Sequence, residues 1–457
     1  ILVDQMSLDC ISAYREYYKD NEWLAHWVNT PNLDRLVNEG ASFLNSNTPN
    51  PVCCPARASL FTGRMPVEHG VYFNNIGIDK NIPNMAQWFM ENTQYKSYYC
   101  GKWHAGGEWN CPNLEGDRKI PGFETIPLGE HHTGDYLDFK VSEAVSAFLR
   151  NYNEKNPFLL VAGLLNPHDI CFWAMEQNII TNSEDYFGLE ENLPPLPPNM
   201  YYNFKADEPG LEKNKNAEIR SFGEQGYRTY IYEYLRMIEK IDCDIQRIIE
   251  AVEERNDDTL VVFASDHGDG LARHGRVAKW HPYEESNKVP LIFWDNSKEV
   301  KSKVDTTHLT GLIDIFPTIC DFAGISCPPK MRGLSLRSII RGEQVEAWRN
   351  NMLIDYDFTG RVIMTDDYKY IMRYKFSGDV EKPFIRKSDG KSVQFEKGCG
   401  NQYERYEGCL LFEIKKDPWE TKNLSLLKEY EKVIEAHEKL LWQWENTLDI
   451  GNHFDRN

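Results

Sequence analysis

The sequence predicts an α/β fold in two parts: a large central sheet, mixed but mostly parallel and flanked by helices, over residues 1–342, and a small antiparallel sheet with a helix over residues 343–457. Three observations carry that expectation. Apolar runs of strand length alternate with amphipathic helical stretches through the first part. One run, Phe158 to Leu165, contains no polar side chain, as in a strand covered on both faces of a parallel sheet. After Arg341-Gly342 the alternation stops, and predicted strands at Met352–Asp355, Arg361–Thr365, Tyr368–Tyr374 and Leu410–Lys415 follow one another, closed by a helix near Leu424 to Asn446.

In chain order, Ile1-Leu2-Val3-Asp4-Gln5 reads as a strand ending in a carboxylate. Ligands of open α/β sheets gather at the carboxyl ends of strands, which puts Asp4 on the functional rim; an aspartate that merely caps a turn is the common alternative. Leu33, Leu36 and Val37 recur at helical spacing within Thr30 to Phe43 and mark a packing helix. That helix leads to the stretch around which the chain is organised, Pro51-Val52-Cys53-Cys54-Pro55-Ala56-Arg57-Ala58-Ser59-Leu60-Phe61-Thr62-Gly63-Arg64. Pro55 suits a first helical turn and Gly63 a helix end, so free N–H groups and a positive dipole end lie beside Cys53 and Cys54. That is a place for an anion. A helix over Asn84 to Met90 precedes a strand over Lys96 to Cys100, which empties into Gly101-Lys102-Trp103-His104-Ala105-Gly106. In an extended backbone Lys102 and His104 project to one face and Trp103 to the other. A cation and a titratable imidazole on one face suit holding an anion and moving a proton.

The polar stretch after Gly107 carries Cys111 and the pair His131-His132, read as surface loop because no companion ligand stands at metal spacing. A helix over Tyr136 to Tyr152 leads into the apolar strand, which ends in Asn166-Pro167-His168-Asp169, again with a histidine at a strand's end. From Cys171 to about Gly226 the regularity fades into Pro-rich and aromatic sequence of the kind found in long loops beside sites. A long helix near Arg228 to Glu254 carries Ile231, Leu235, Ile238, Ile241, Ile245, Ile248 and Val252 at three- and four-residue steps. It delivers a strand over Thr259 to Ala264 and then Ser265-Asp266-His267-Gly268-Asp269-Gly270. Asp266 and His267 thereby join Asp4 on the rim, and carboxylates from two strands can share one hard divalent ion if those strands are neighbours. Arg273-His274-Gly275 and Lys279-Trp280-His281 follow, then a strand over Pro290 to Trp294 and a helix over Leu309 to Ile319.

Composition narrows the function classes. Hydrophobic residues at 41% and charged residues at 26% are those of an ordinary globular protein, and no apolar run reaches the roughly eighteen residues a membrane span needs. A formal net charge of -19 excludes a nucleic-acid surface but not a local anion pocket. Eleven cysteines without a Cys-x-x-Cys point to a reducing, cytoplasmic compartment, although Cys399 and Cys409 flank a short loop and would pair in an oxidising one. A leader ahead of residue 1 would instead direct the protein to the periplasm or outside. Twelve Trp and twenty-four Tyr suit stacking on sugars or steroid rings alike.

The order Cys53-x-Pro55-x-Arg57 followed by Thr62-Gly63-Arg64 resembles the signature of type I sulfatases, members of the alkaline phosphatase superfamily whose first signature cysteine is oxidised to formylglycine. Only a register starting at Cys53 places the proline and arginine correctly; Ala56 stands where serine is more usual. Gly101-Lys102-Trp103-His104-x-Gly106, Pro167-His168, Lys279, and the run over Leu309 to Ile319 that closes with Ala323-Gly324-Ile325 resemble the same family, so the likeness covers nearly the whole chain. It implies an alkaline phosphatase/sulfatase-like fold, sulfuric ester hydrolysis, and catalytic roles for Cys53, Arg57, Lys102, His104, His168 and Lys279. It also implies one calcium ion (Ca2+) held by Asp4, Gln5, Asp266 and His267. Gln5 stands where many members carry a second aspartate, and His267 matches the Asp-His variant of the family's metal pair.

The implied partners are a small sulfated substrate (sugar, aryl or steroid) and a maturation enzyme, either formylglycine-generating or an anaerobic sulfatase-maturating enzyme. In the implied scheme the hydrated aldehyde of residue 53 attacks sulfur while Lys102, Lys279 and the ion neutralise the sulfuryl oxygens. His168 protonates the departing alcohol, and His104 takes the proton that releases sulfate. Two other readings share the architecture. Phosphonate monoester and phosphodiester hydrolases of the superfamily also use formylglycine and combine Asp-Gln with Asp-His; a noncatalytic binding protein of this fold would keep Cys53 as a thiol.

Overall fold

The computed structural model describes residues 1–20, 23–74, 76–105, 120–128, 133–176, 192–202, 222–356, 360–375 and 404–449. Cys111, His131, His132 and Cys399 lie outside the described residues. An eight-stranded sheet forms the centre, built from β1 (Leu2–Asp4), β2 (Ala41–Phe43), β4 (Lys96–Gly101), β5 (Glu124–Thr125), β6 (Phe158–Pro167), β7 (Leu260–Ser265), β8 (Leu291–Asp295) and β9 (Lys303–Asp305) in the order β5-β4-β6-β1-β7-β8-β2-β9. Every neighbouring pair is parallel except those of β8, which runs antiparallel to both β7 and β2. The sheet is thus mixed and mostly parallel, as expected.

Helices cover both faces because successive strand residues point to opposite sides. Val3, Leu164, Phe263 and Ile292 join one core with α1 (Pro31–Glu39), α4 (Gly134–Asn151) and α6 (Gly223–Glu253). Leu2, Tyr99, Ala264 and Phe293 join another with α2 (Cys53–Thr62), α3 (Met85–Asn92) and α7 (Ile315–Phe322). The periodic residues of α6, from Ile231 to Val252, are buried in the first core, as their spacing predicts. Pro31 at the first turn and Asn84, whose side chain accepts the N–H groups of Ala86 and Gln87, start α1 and α3. Between β6 and the residues that follow β7 lies α5 (Ile170–Glu176) together with α6.

Three elements differ from the sequence reading. The expected helix over Leu309 to Ile319 begins instead as a short strand β10 (Thr310–Gly311), paired in parallel with β3 (Ser46–Asn47), and becomes helical only at Ile315. Gly311 permits this, since a Cβ there would lie 2.6 Å from the Asn47 carbonyl oxygen. The expected extended run after Cys100 ends at Gly101, which has φ +93°, and His104 has φ +40°, so Lys102 and His104 do not alternate on a strand. A Cβ on Gly101 would meet the Gly163 carbonyl oxygen at 2.1 Å, so the chain leaves β4 where it packs closest to β6.

The C-terminal strands β11 (Asn351–Tyr356), β12 (Gly360–Thr365), β13 (Tyr368–Lys375) and β14 (Glu404–Glu413) form an antiparallel sheet in sequence order, with α8 (Glu431–Thr447) beside it. The last helix starts later than its pattern predicts, after a 3-10 turn at Lys428–Tyr430. This sheet shares a core with the first part, where Met65, Val67, Tyr283, Leu309 and Ile313 pack with Leu353, Ile363, Ile371 and Leu411. Among the described residues no helix is long and apolar enough to cross a membrane.

Candidate active site

Four neighbouring strands, β4, β6, β1 and β7, end on one edge of the sheet, and register fixes their ends side by side. Asp4 pairs with Pro167, and Val3 with Ser265. Immediately beyond lie Lys102 and His104, His168, Gln5, and Asp266 with His267. Parallel pairing is what brings these distant sequence segments together.

The first turn of α2 faces that edge. Cys53 is its first residue, 1% exposed, and Gly63 closes it in the left-handed conformation at φ 67°. One helical turn after Cys53, Arg57 is fully buried and its guanidinium bridges both strand-end carboxylates, with Nε 2.7 Å from Asp266 Oδ2 and Nη2 3.0 Å from Asp4 Oδ2. Its Nη1 donates to the Lys102 carbonyl at 2.9 Å. One arginine therefore ties α2, β1, β7 and the end of β4 to a common point.

Around the Cys53 sulfur the polar groups are close. Lys279 Nζ lies 2.9 Å from Sγ, His267 Nε2 3.2 Å, and Asp4 Oδ1 3.7 Å. Lys102 Nζ contacts Asp4 Oδ2 at 2.6 Å. His104 and His168 are buried close enough to the site for its charges to act on their rings, Cys53, Lys102 and Asp4 on His104 and Lys102, Lys279 and Asp4 on His168. Gln5 takes a different place: its amide nitrogen donates to Asp269 Oδ2 at 2.7 Å, and its amide oxygen accepts from Lys279 Nζ at 3.0 Å. His274 and His281 sit apart with Glu285 and Ser286.

Electrostatics follow from burial and these pairs. Burial and Asp4 both oppose a thiolate at Cys53, yet Lys279, Lys102 and His267 outweigh them and bring its pKa well below the usual thiol range. Burial likewise opposes a charge on Asp4, but the cations Lys102, Arg57 and Lys279 hold it ionised well below the carboxylate range. Asp266 is pushed up to about 6 by burial and by the like charge of Asp4. Burial lowers the pKa of His104 and, joined by Lys102 and Lys279, lowers that of His168 well below the usual imidazole range. Both rings are neutral at pH 7.

Asp4, Cys53, Asp266 and His267 offer ligand atoms that all lie within 4.8 Å of one another, and all four are buried. The donor set fits a divalent cation. His267 Nδ1 lies 2.9 Å from the Gly268 carbonyl, which only accepts, so Nδ1 carries a proton, and Nε2, which faces the carboxylates, is the ring atom that would bind a cation once its own proton leaves. Asp266 raises the proton affinity of His267 against the effect of burial, and the same negative field attracts a metal ion. Left-handed backbone at Gln5 (φ 71°), His104 (φ 40°), Ala278 (φ 61°) and Trp280 (φ 74°) marks the edge as strained. Such residues cost about 1–3 kcal/mol each and gather where function over-determines the backbone.

Sequence reasoning missed two buried carboxylates that support this edge. Asp138, on α4, accepts from the N–H groups of Leu165 and Asn166 at 2.6 and 2.9 Å, just before His168. Asp269 lies behind Gln5 and Lys279. Its signal was its place between Gly268 and Gly270, two residues past His267; Asp138 had none, because its partners lie on another element.

Comparison with known proteins bears on this geometry. The family model described as Sulfatase matches residues 19–325, and that described as N-sulphoglucosamine sulphohydrolase, C-terminal, matches residues 272–394. The chain is 28% identical over 426 residues to a Delta 4,5-hexuronate-2-O-sulfatase of Bacteroides thetaiotaomicron, covering 90% of this chain and 82% of that protein. It is 27% identical over 490 residues to an arylsulfatase of Clostridium perfringens, covering 96% and 92%. Among solved structures, a 2-O GAG sulfatase superposes with a TM-score of 0.76 at 24% identity, covering 97% of this chain and 91% of the other.

Proposed function

We propose, from the premise that this chain belongs to the sulfatase family of the alkaline phosphatase superfamily, that it hydrolyses sulfate esters of carbohydrates through residue 53 in its formylglycine form, with one calcium ion at the strand edge. The observation that carries the reading is the convergence of Asp4, Asp266, His267, Lys102 and Lys279 on the Cys53 side chain. Cations on two sides of one small group suit a sulfuryl moiety, whose negative oxygens need neutralising as the S–O bond breaks. The sugar class follows the hexuronate sulfatase relative.

Within that reading Asp4, Asp266 and His267 would hold the ion, and Gln5, the further oxygen donor the family pattern implies, would have to share with it the amide oxygen that accepts from Lys279. The ion supplies Lewis-acid polarisation of the sulfate oxygens, and formylglycine supplies an oxygen nucleophile that a thiol does not. The remaining work belongs to the chain's own residues. Lys279 and Lys102 bind and orient the sulfate group, and Arg57 keeps the two carboxylates at fixed separation. His104, neutral through burial, accepts a proton beside residue 53. His168 is neutral in the free protein because Lys102 and Lys279 add to the effect of burial; a bound sulfate ester offsets both lysines, so the ring regains the proton it gives to the leaving alcohol.

The test is a side-by-side assay of 4-nitrophenyl sulfate, an aryl phosphonate ester and sulfated uronate disaccharides, together with mass spectrometry of the peptide spanning Cys53. Sulfate turnover, loss of it on chelation and its return with calcium are expected, as is a peptide lighter than the thiol form. Faster turnover of the phosphonate ester would favour the hydrolase alternative. An intact thiol with no turnover would favour a binding protein.

A further inference from the structure

Lys279 reaches Cys53 from a loop whose regular structure is a single 3-10 turn at Arg273–Gly275. Residues 271–280 lie between β7 and β8, and Leu271, Ala272, His274, Ala278 and Trp280 all have left-handed backbone, at φ values from 47° to 74°. None of these is glycine, so the loop needs an external restraint to keep this shape. Asp269 supplies one. It is fully buried, and its Oδ1 accepts from both ends of the loop, the N–H of Leu271 at 2.9 Å and that of Ala278 at 3.2 Å. The Gly270 N–H closes the same base by donating to the Ala278 carbonyl at 2.7 Å.

The other oxygen faces the active site. Oδ2 accepts from Gln5 Nε2 at 2.7 Å and from the Tyr230 hydroxyl at 2.9 Å. A carboxylate only accepts, so it dictates which way the Gln5 amide turns: NH2 toward Asp269, carbonyl toward Lys279 Nζ. The ammonium thus meets the Gln5 oxygen on one side and the residue 53 side chain on the other. We infer that Asp269 is a positioning residue for sulfate binding, acting on Lys279 both by clamping its loop and by fixing the orientation of the Gln5 amide. This rests on the sulfatase reading, in which Lys279 contacts the sulfate group.

Asp269→Asn breaks this arrangement in either orientation. If the asparagine oxygen keeps the loop N–H groups, its NH2 meets Gln5, whose amide must turn and set its own NH2 against the Lys279 ammonium. If the oxygen keeps Gln5, the NH2 confronts two backbone donors and the loop opens. Restoration is also specified: Gln5→Glu together with Asp269→Asn gives an acceptor-only side chain at position 5, able to take the asparagine NH2 on one oxygen and Lys279 on the other.

The experiment uses the full, matured protein, with 4-nitrophenyl sulfate as substrate and inorganic sulfate as the probe. Asp269→Asn should raise the sulfate inhibition constant and KM about 10- to 100-fold, the range for losing a charge-assisted hydrogen bond, with a smaller fall in kcat. The double variant should recover most of that loss, and Tyr230→Phe, which removes only one outer bond, should stay within about threefold of wild type. Unchanged sulfate inhibition in Asp269→Asn overturns the inference, as does a double variant that melts like wild type yet recovers nothing. If Asp269→Asn does not fold, recovery of sulfate binding in the double variant sustains the inference; if neither folds, Asp269 is only structural and the inference is wrong. A wild-type protein that neither turns over the ester nor binds sulfate fails at the level of the functional reading itself, and this inference falls with it.

Discussion

Cys53 illustrates how much one side chain depends on its surroundings: a thiol that is 1% exposed is ringed by the polar groups of Lys279, His267 and Asp4, and the proposed function makes it the nucleophile's precursor. Cys53→Ala should leave the fold intact, because alanine fills a helix N-terminus without strain, while sulfate ester turnover drops by at least about a thousandfold, as for loss of a nucleophile. Steady-state assay beside a circular dichroism melt checks both halves. The supporting carboxylate Asp138 gives a second expectation. Burial, reinforced by Asp244 and Asp169, pushes its pKa up to about 8 despite the N–H groups of Leu165 and Asn166. A carboxyl whose folded pKa lies above its unfolded value of 3.8 stabilises fully only below that value, and the advantage is lost as pH rises through about 8. Thermal stability should therefore fall between about pH 4 and 8 and level off above that, and less steeply in Asp138→Asn, as melts across that range would show. Asp4, His168 and Asp266 were readable because each follows an apolar run. Asp138 was not, since its hydrogen bonds join α4 to a strand end that sequence spacing does not connect to it.

Among the elements, β4 teaches the most about what a pattern can carry. Its aromatic pair Tyr98-Tyr99 suits a strand and its sequence predicts an extended exit, whereas Gly101 turns the chain with φ +93° against the backbone of β6. Gly101→Ala would force a Cβ into the Gly163 carbonyl and a left-handed conformation on alanine. It should cost about 2–4 kcal/mol in chemical denaturation and lower turnover as well, since Lys102 is the next residue. The amphipathic helices were legible from their period alone. The switch from strand to helix at Ile315 was not, because β10 exists only through its pairing with β3, some two hundred and sixty residues upstream.

For the whole molecule, the order of the strands is what sequence patterns leave open, as it depends on nonlocal pairing that no local signal encodes. The junction with the C-terminal sheet was equally hidden. Lys369, on β13, is fully buried and pairs with Glu284 at 3.1 Å and Glu420 at 2.8 Å, beside a shared apolar core. Lys369→Met would leave the buried Glu420 without its cation, while Glu284 keeps Lys288 at 2.6 Å, and should cost about 3–5 kcal/mol, read from the guanidinium midpoint. Because that core crosses between the two parts, calorimetry should record one cooperative transition, not two.

Access to residue 53 has a consequence in time. Its sulfur lies beneath the tips of strands that are consecutive in space but far apart along the chain, so the enclosure closes only once Ser265 and the segments after it have been synthesised and paired. Any enzyme large enough to oxidise that cysteine must find it before then, on a nascent or still open polypeptide. If activity requires that oxidation, as proposed above, whether a given molecule becomes active would be decided by a race between its modification and its own folding.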